Sequence, residues 1–328
     1  MSTYTSMERV PETTSRKNIL SFSRSYLIHM RPYLLFISGV AGAAGMVLNN
    51  GRHNIPELII AFLPLFLGYG FGQALTDCFQ TDTDSISAPY RPLSKGIISR
   101  QQVLIVSIAG LSLSALIYLI YNPYSFWICL LIIFGLSTYS YVKKNITLLA
   151  PFYNAWVVGM LPLLAYYITS ETEWGGIPSS TWKIAALSFF SYSNFVLIGY
   201  LKDVEADAAT GYKTFPVVYG WEMTLRLAWV IAIGTFAAFI ATMPENGIAM
   251  IVGFAACIIL VYGLLYAKFL EVQNEQTALI PIISTVRSFI LFHLAVLVDH
   301  ETELIPAAIL FYLAFEIVLR KRPSKYQV

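Results

Sequence analysis

Charged residues are scarce in this sequence of 328 residues. Asp, Glu, Lys and Arg together make up only 12% of the chain, whereas hydrophobic residues make up 57%. A soluble domain carries about 25% charged residues, and a large core does not account for so great a deficit. The composition therefore predicts that lipid is the solvent for most of the protein surface.

Cysteine is also rare, and the sequence has no long run of like charge. Cys78, Cys129 and Cys257 are an odd number scattered over apolar stretches, which indicates packing residues and neither a disulfide framework nor a thiolate metal site. The net charge is only +2, which argues against nucleic-acid binding. No apolar signal segment lies within residues 1–25, so we predict a flexible N-terminal tail there and one transmembrane domain at 26–328.

Ten apolar runs have the length that a helix needs to cross a bilayer. The last run is short enough to be re-entrant or interfacial, so nine spanning helices are as defensible as ten. The predicted fold class is all-α, a polytopic transmembrane helical bundle. The runs are 33–49, 56–76, 102–121, 124–140, 150–169, 183–201, 224–243, 247–267, 278–298 and 304–319.

Lys and Arg fall in alternate loops of this predicted topology. The segment before the first run, the loops near 91–100, 143–144 and 202–213, and the C-terminus all carry basic residues, whereas the opposite loops carry few. Basic loops remain on the cytoplasmic side of a membrane. We therefore expect the N-terminus and these loops to be cytoplasmic.

The first of two acidic segments follows the second apolar run. At helical spacing, Thr76, Asp77, Gln80 and Asp84 share one face, and Asp82 points elsewhere. Carboxylates at the edge of a membrane are costly unless they are paired or bind a metal. A lone Asp at a helix end ordinarily caps that helix, so this segment alone does not establish a site.

A second acidic segment favours a functional site over simple helix capping. Asp203 and Asp207 lie four residues apart, again on one helical face, and on the same predicted side of the membrane. Two facing sets of oxygen ligands suit Mg²⁺, which is usually completed by substrate phosphates. The two segments therefore predict a Mg²⁺ site that binds a diphosphate, and the repeated pattern suggests a weak internal duplication.

A diphosphate also needs cations from the protein. Arg91, Lys143, Lys202 and Lys213 lie in the same-side loops, and Tyr139 is one helical turn from Lys143. A single loop Lys more often sets membrane topology than binds substrate. As a group they are the predicted diphosphate-binding residues.

With these residues in place, the chain resembles the UbiA superfamily of intramembrane prenyltransferases over nearly its whole length. The resemblance includes the Arg31-Pro32 pair before the first helix and the order and spacing of three motifs. Arg91 and Lys143 occupy motif positions. The motifs are Asp84-x4-Pro89-Tyr90-Arg91-Pro92-Leu93-x2-Gly96, Tyr139-x3-Lys143 and Asp203-x3-Asp207-x3-Gly211-x2-Thr214-x-Pro216.

This resemblance implies a bundle of nine helices around a central cavity, with a cytoplasmic cap formed by the loops after the second and sixth helices. A tenth helix at 304–319 departs from that pattern. It also implies an enzyme that, with Mg²⁺, ionises a prenyl diphosphate, whose carbocation needs aromatic surroundings. Aromatic residues concentrate at 69–71, 152–156 and 189–192.

The chain departs from the family within the motifs. Family members usually show Asn-x3-Asp-x3-Asp where this chain has Thr76-x3-Gln80-x3-Asp84, and Asp where it has Tyr200. Asp77 could compensate from the adjacent position, and Gln80 retains a neutral oxygen. The predicted catalytic carboxylates, which are also the predicted metal ligands together with Gln80, are Asp77, Asp84, Asp203 and Asp207.

Three functions agree with these residues to different degrees. Transfer of the prenyl group to an aromatic or lipid-like acceptor is the leading hypothesis. A terpene cyclase of the same superfamily is the alternative, and the altered first motif favours it somewhat. A secondary transporter is remote, because its charges would lie near mid-bilayer and not at helix ends.

Arg287 and His293 lie within an apolar run. Ionisable residues there either contact substrate or pair with protein partners, and the sequence does not choose between these roles.

Overall fold

The computed structural model describes residues 12–49, 55–170, 176–242 and 245–322. These residues form helices and connecting segments, with no strand among them. The α-helices, in chain order, are α1 Glu12–His29, α2 Leu35–Met46, α3 Ile55–Asp77, α4 Thr81–Ser87, α5 Arg100–Tyr121, α6 Pro123–Asn145, α7 Ala150–Gly159, α8 Leu161–Thr169, α9 Ser179–Gly199, α10 Val204–Ala209, α11 Phe215–Thr242, α12 Gly247–Lys268, α13 Leu279–His300 and α14 Ile305–Arg320.

Within the described residues, nine helices are long and apolar enough to cross a membrane, or ten if one bent pair counts as a single span. The bent pair is Ser21–His29 with Pro32–Met46, at an angle of 50°. This agrees with the predicted all-α bundle of nine or ten spans. The final run, Thr302–Arg320, also meets the length and composition of a span.

The N-terminal helix begins earlier than the predicted domain boundary. Residues 12–25 of the predicted flexible tail belong to α1, and residues 1–11 lie outside the described part of the chain. The break after α1 is at Arg31, whose φ of 54° makes it the one non-glycine residue with positive φ among those described. Such a backbone costs about 1–3 kcal/mol and persists where the surroundings hold it in place.

Small residues allow the central helices to approach closely. α2 packs against α3, α8 and α13, and a Cβ added at Gly45 would clash with the backbone of Pro162. On α3, a Cβ added at Gly70 would meet the Met30 side chain at 2.5 Å. Close backbone approach of this kind drives helix association in lipid, where apolar burial alone gives no preference.

Two short helices form a cap at one end of the bundle. α4 and α10 pack against each other, and the hydroxyls of Thr83 and Thr210 lie 2.9 Å apart. The segments after these helices turn at Gly96 and Gly211, with φ of 68° and 76°, values that favour glycine. The two acidic segments therefore meet at one end of the bundle, as their spacing predicted.

The last helix is fastened to the bundle by an ion pair. Arg287 on α13 donates from Nε and Nη2 to the two carboxylate oxygens of Glu316 on α14, at 2.6 and 2.8 Å. His293 lies 2.7 Å from the Ser188 hydroxyl and 2.7 Å from the Phe289 carbonyl. Both ionisable residues of this helix thus have protein partners.

Candidate active site

A polar cavity lies beneath the cap, where α3, α6, α7, α9 and α13 converge. It encloses about 670 Å³ of space, part of which is continuous with the exterior. Eight of the ten predicted site residues lie in its wall, namely Asp77, Gln80, Asp84, Arg91, Tyr139, Lys143, Lys202 and Asp203. Asp207 and Lys213 are not among its lining residues.

Asp77 lies at the end of α3, in a cluster of protein donors. Arg31 Nη2 donates to both carboxylate oxygens at 3.0 and 2.7 Å, and Gln73 Nε2 donates to Oδ1 at 2.7 Å. Arg91 Nη1 lies 3.5 Å from Oδ2, and Asp77 is only 2% exposed. Two guanidinium groups therefore neutralise this carboxylate, which positions them at the cavity wall.

Asp84 lies on α4 and is held by the segment that follows it. Arg91 Nη1 donates to Asp84 Oδ2, and both side chains are buried. Burial raises the pKa of the Asp84 carboxyl, and the Arg91 guanidinium opposes that rise without cancelling it. Burial would lower the pKa of Arg91, but the carboxylates of Asp84 and Asp77 hold it above its usual value. The pair therefore presents an anion and a cation side by side to the cavity.

Lys143, on α6, contacts a residue of each of the two acidic segments. Its ammonium donates to Gln80 Oε1 at 3.3 Å and to Asp207 Oδ1 at 3.1 Å. Asp207 is fully buried, and burial raises its pKa while Lys143 opposes the rise. Asp207 thus lies behind Lys143 and orients it, and it does not face the cavity directly.

Tyrosines surround the same ammonium. Lys143 Nζ lies 5.6 Å from the centre of the Tyr200 ring and 5.1 Å from that of Tyr212. The hydroxyls of Tyr139 and Tyr200 are 2.8 Å apart. Ring faces at this distance attract a cation, so they reinforce the position of the ammonium.

Asp203 and Lys202 lie at the junction between α9 and α10. Asp203 precedes α10 but makes no side-chain hydrogen bond to its N-terminus. Both residues also line a second cavity of about 700 Å³ toward the cap, together with Glu275 and Gln276. Of the acidic residues in the two motifs, Asp203 is therefore open to ligands from either cavity.

Below the polar cavity lies an apolar one of about 750 Å³. Its wall is formed by α3, α5, α6, α7 and α8, with residues such as Leu111, Ile132 and Leu164. Five residues line both cavities, namely Tyr69, Gln73, Tyr139, Asn154 and Tyr192. A molecule with a charged head and a hydrocarbon tail fits across this junction.

Several residues of this wall are not among those that the sequence predicts for the site. Arg31 belongs to the basic segment that predicts the membrane topology and to the adjacent Arg31-Pro32 motif. That motif was the available sequence signal for a role of Arg31 in the site. Gln73 and Asn154 carried no motif signal, since their roles depend on the rotation of their helices. Lys213 is exposed and donates its backbone N–H to Lys144, so we do not include it among the proposed diphosphate contacts.

The donor set limits how a metal would be held. Among the described residues, no group of three or more His, Cys, Asp or Glu side chains could hold a metal by themselves. Mg²⁺ is normally bound through one or two carboxylates with substrate phosphates, so Asp203 and Asp84 suffice for it. The residues therefore fit a Mg²⁺ ion that a diphosphate completes.

The model of the UbiA prenyltransferase family matches residues 36–286. Digeranylgeranylglyceryl phosphate synthase of Thermococcus kodakarensis is 25% identical over 256 residues, which cover 77% of this chain and 88% of that protein. The protein of the same name from Methanobrevibacter smithii is 28% identical over 240 residues, covering 67% of this chain and 79% of that protein.

Two solved structures have a similar fold. A UbiA homologue from Aeropyrum pernix matches with a TM-score of 0.68 at 17% identity, over 77% of this chain and 94% of that one. A UbiA homologue from Archaeoglobus fulgidus, bound to GPP and Mg²⁺, matches with a TM-score of 0.61 at 20% identity, over 83% and 99%. At these identities the likeness concerns the fold alone.

Proposed function

This chain belongs to the UbiA prenyltransferase family and is a multi-pass membrane prenyltransferase, and on that premise we propose that it uses Mg²⁺ to ionise a prenyl diphosphate. The prenyl group then passes to an aromatic or lipid-like acceptor. The proposed site is the polar cavity, and the proposed protein unit is a single domain over 26–328.

The junction of the two cavities supports this proposal most directly. The polar cavity is lined by Arg31, Arg91, Lys143 and Lys202, which suit a diphosphate. The adjoining apolar cavity suits a hydrocarbon chain. The C–O bond that breaks would then lie between the two, beside Tyr69, Tyr139 and Tyr192.

The chain's own residues stabilise the charges that develop as this bond breaks. Arg91 and Lys143 face the departing diphosphate, and each is held by a buried carboxylate, so little reorganisation is needed. When bound, Mg²⁺ neutralises the leaving group in the same way. The tyrosine rings at the junction present faces that favour an allylic cation and exclude water from it.

The relatives favour a lipid-like acceptor over an aromatic one. The two relatives reported above are both named digeranylgeranylglyceryl phosphate synthase, and that name describes those two proteins. The second polar cavity, which shares Lys202 and Asp203 with the first, offers room for the polar end of such an acceptor. We propose that the cap and this cavity lie on the cytoplasmic side, where the basic loops gather.

The test is incubation of the purified, reconstituted protein with Mg²⁺ and C10 to C20 prenyl diphosphates, with and without acceptors. We expect diphosphate release and prenylated product only when a lipid alcohol or an aromatic acceptor is added. Failure to consume any prenyl diphosphate under all these conditions would contradict the proposal.

Cyclisation is a second candidate for the same site. It is favoured by Gln80 and Tyr200, which stand where the family motifs usually carry carboxylates, and by the tyrosines that line the apolar cavity. In that case the substrate's own double bond captures the carbocation, and the new cation loses a proton or adds water with loss of a proton. A cyclic hydrocarbon or alcohol formed without any acceptor would identify this reaction in the same experiment.

A further inference from the structure

A carboxylate from outside the two acidic segments contacts the cap helix α10. Glu275 lies in the segment 269–278, which connects α12 to α13, and its Oε1 accepts the backbone N–H of Glu205 at 3.2 Å. Glu205 is the second residue of α10, so its N–H is one of those that the helix itself cannot pair. The segment between α12 and α13 therefore holds the beginning of α10, from 70 positions away in the chain.

An Asp that immediately precedes a helix usually pairs these N–H groups itself. Such a residue has extended backbone, which lets its side chain reach back to the second or third N–H of the helix. Asp203 precedes α10 with φ of −118° and ψ of 13°, and its side chain makes no hydrogen bond to the helix N-terminus. Asp203 instead lines both the polar cavity and the second cavity. Glu275 thus performs the capping that Asp203 ordinarily would.

Charge repulsion also separates Asp203 from the beginning of α10. Glu275 and Asp203 both line the second cavity, and Glu275 is half-buried there. Burial raises the pKa of the Glu275 carboxyl, the Glu205 N–H opposes that rise, and the Asp203 carboxylate adds to it. Two neighbouring carboxylates disfavour each other's charged form, so Asp203 does not share the helix N-terminus while Glu275 occupies it.

We infer that Glu275 is a positioning residue of the proposed active site, which caps α10 in place of Asp203 and so keeps Asp203 at the wall of the polar cavity. The inference rests on the proposed function, since it concerns how that site is assembled. Without Glu275, the free N–H groups of α10 attract the Asp203 carboxylate, which then turns away from the cavity. Glu275 is not among the residues that line the polar cavity, so its loss acts through Asp203.

Amide hydrogen exchange tests the capping without any substrate. The full chain in lipid nanodiscs is compared with Glu275→Ala, Asp203→Ala and the double variant, by mass spectrometry of the peptide that contains 203–210. Both positions are partly exposed, so the variants are expected to fold. We expect near-native exchange in each single variant, because the other carboxylate caps α10, and about fivefold faster exchange in the double variant, which has neither cap. Glu271→Ala, at an exposed position of the same segment, is the matched control and should not change exchange in either background.

Affinity for an unreactive substrate analogue tests the consequence for the site. Binding of a C10 prenyl thiolodiphosphate in the presence of Mg²⁺ is measured by calorimetry. Glu275→Ala should bind about fivefold more weakly, because capping by Asp203 competes with its place in the cavity. Glu275→Gln keeps an oxygen that accepts the Glu205 N–H and should restore native affinity. In the Asp203→Ala background, Glu275→Ala should cause no further loss, whereas a merely structural role of Glu275 would weaken binding again by the same factor.

The outcomes separate the two proposals. Faster exchange in Glu275→Ala alone, native exchange in the double variant, or a further loss of affinity in the Asp203→Ala background overturns the inference and leaves the proposed function intact. If the native protein binds no C10 to C20 prenyl thiolodiphosphate with Mg²⁺, the proposed function is wrong and the inference with it. Near-native exchange in both single variants, with weaker binding in Glu275→Ala and native binding in Glu275→Gln, supports both.

Discussion

Asp84 and Asp82 are two positions apart on α4 and face different surroundings. Asp84 lies in the cavity wall beside Arg91, whereas Asp82 is exposed and pairs with Lys144 at 3.3 Å on the surface. We expect Asp84→Ala to lower kcat/KM by about 100-fold or more, because Arg91 and Mg²⁺, the cations that stabilise the departing diphosphate, lose a carboxylate that holds them. Asp82→Ala is the matched control and should stay within about twofold, since exposed ion pairs contribute little.

The activities of Asp84→Ala and Asp82→Ala are both measured as the rate of diphosphate release from the prenyl substrate. Asp207→Ala should also abolish release, because it leaves Lys143 without its buried partner. If Asp84→Ala and Asp207→Ala are both folded and still release diphosphate, the proposed site is wrong.

Variants of the Arg31–Asp77 ion pair test whether Asp77 positions protein cations or binds a metal ion. Removing one partner of a buried ion pair costs about 3–5 kcal/mol, because a charge is left uncompensated. Asp77→Asn and Arg31→Gln should therefore each lower the thermal stability of the purified protein markedly. The double variant should lose less than the sum of the two, as contacting residues do.

Purely additive losses in that cycle would show that the two side chains do not depend on each other. In that case Asp77 would be available as the compensating metal ligand that its sequence position suggested.

At the scale of elements, α5 contributes Leu111, Ser114 and Tyr118 to the wall of the apolar cavity, and Ser114 is the small one of the three. Ser114 lines this cavity, whereas its neighbour Leu113 is 59% exposed on the outer face of the same helix. We expect Ser114→Phe to reduce kcat/KM for C20 relative to C10 prenyl diphosphate by about tenfold or more, because the ring occupies space that a longer chain needs. Leu113→Phe is the control on the same helix.

Competition between the C10 and C20 substrates in one reaction gives this ratio directly. An equal ratio in Ser114→Phe and in the native protein would mean that the prenyl chain lies elsewhere.

The apolar runs of the sequence located most elements because spanning length and low charge are local properties. The run at 150–169 is nevertheless two helices, α7 and α8, which meet at Met160 between Gly159 and Pro162. The run at 224–243 begins earlier, at Phe215, and bends at Gly220 with φ of 77°. Breaks and bends depend on single Gly and Pro residues and on the helices around them, which hydropathy averages away.

At the scale of the whole molecule, the site end of the bundle is predicted to be cytoplasmic. Lys95 lies in the exposed segment after α4, and Glu303 is exposed at the opposite end of α13. In cells, a membrane-impermeant maleimide should label Glu303→Cys from outside and Lys95→Cys only after permeabilisation. The reverse pattern would place the site on the outer face and contradict the positive-inside expectation.

The sequence by itself determined the membrane character, the nine or ten spans, the family and the end of the bundle where the acidic segments meet. These follow from composition, run length and the spacing of motif residues, which are properties of the chain taken in order. Only the tertiary structure decided which carboxylate each cation holds. Arg31 and Asp77 are 46 positions apart and Lys143 and Asp207 are 64 apart.

That division has a physical reason. Ion pairs and hydrogen bonds act over about 3 Å and depend on direction, so they require the rotation and depth of each helix. Helical periodicity predicted Asp77 and Asp84 on one face of a continuous helix, but the helix breaks at 78–80, between α3 and α4. Periodicity does not show that Arg31 pairs with Asp77 and Arg91 with Asp84. Periodicity also cannot show that Asp207 lies behind Lys143, which packing between α6 and the cap alone determines.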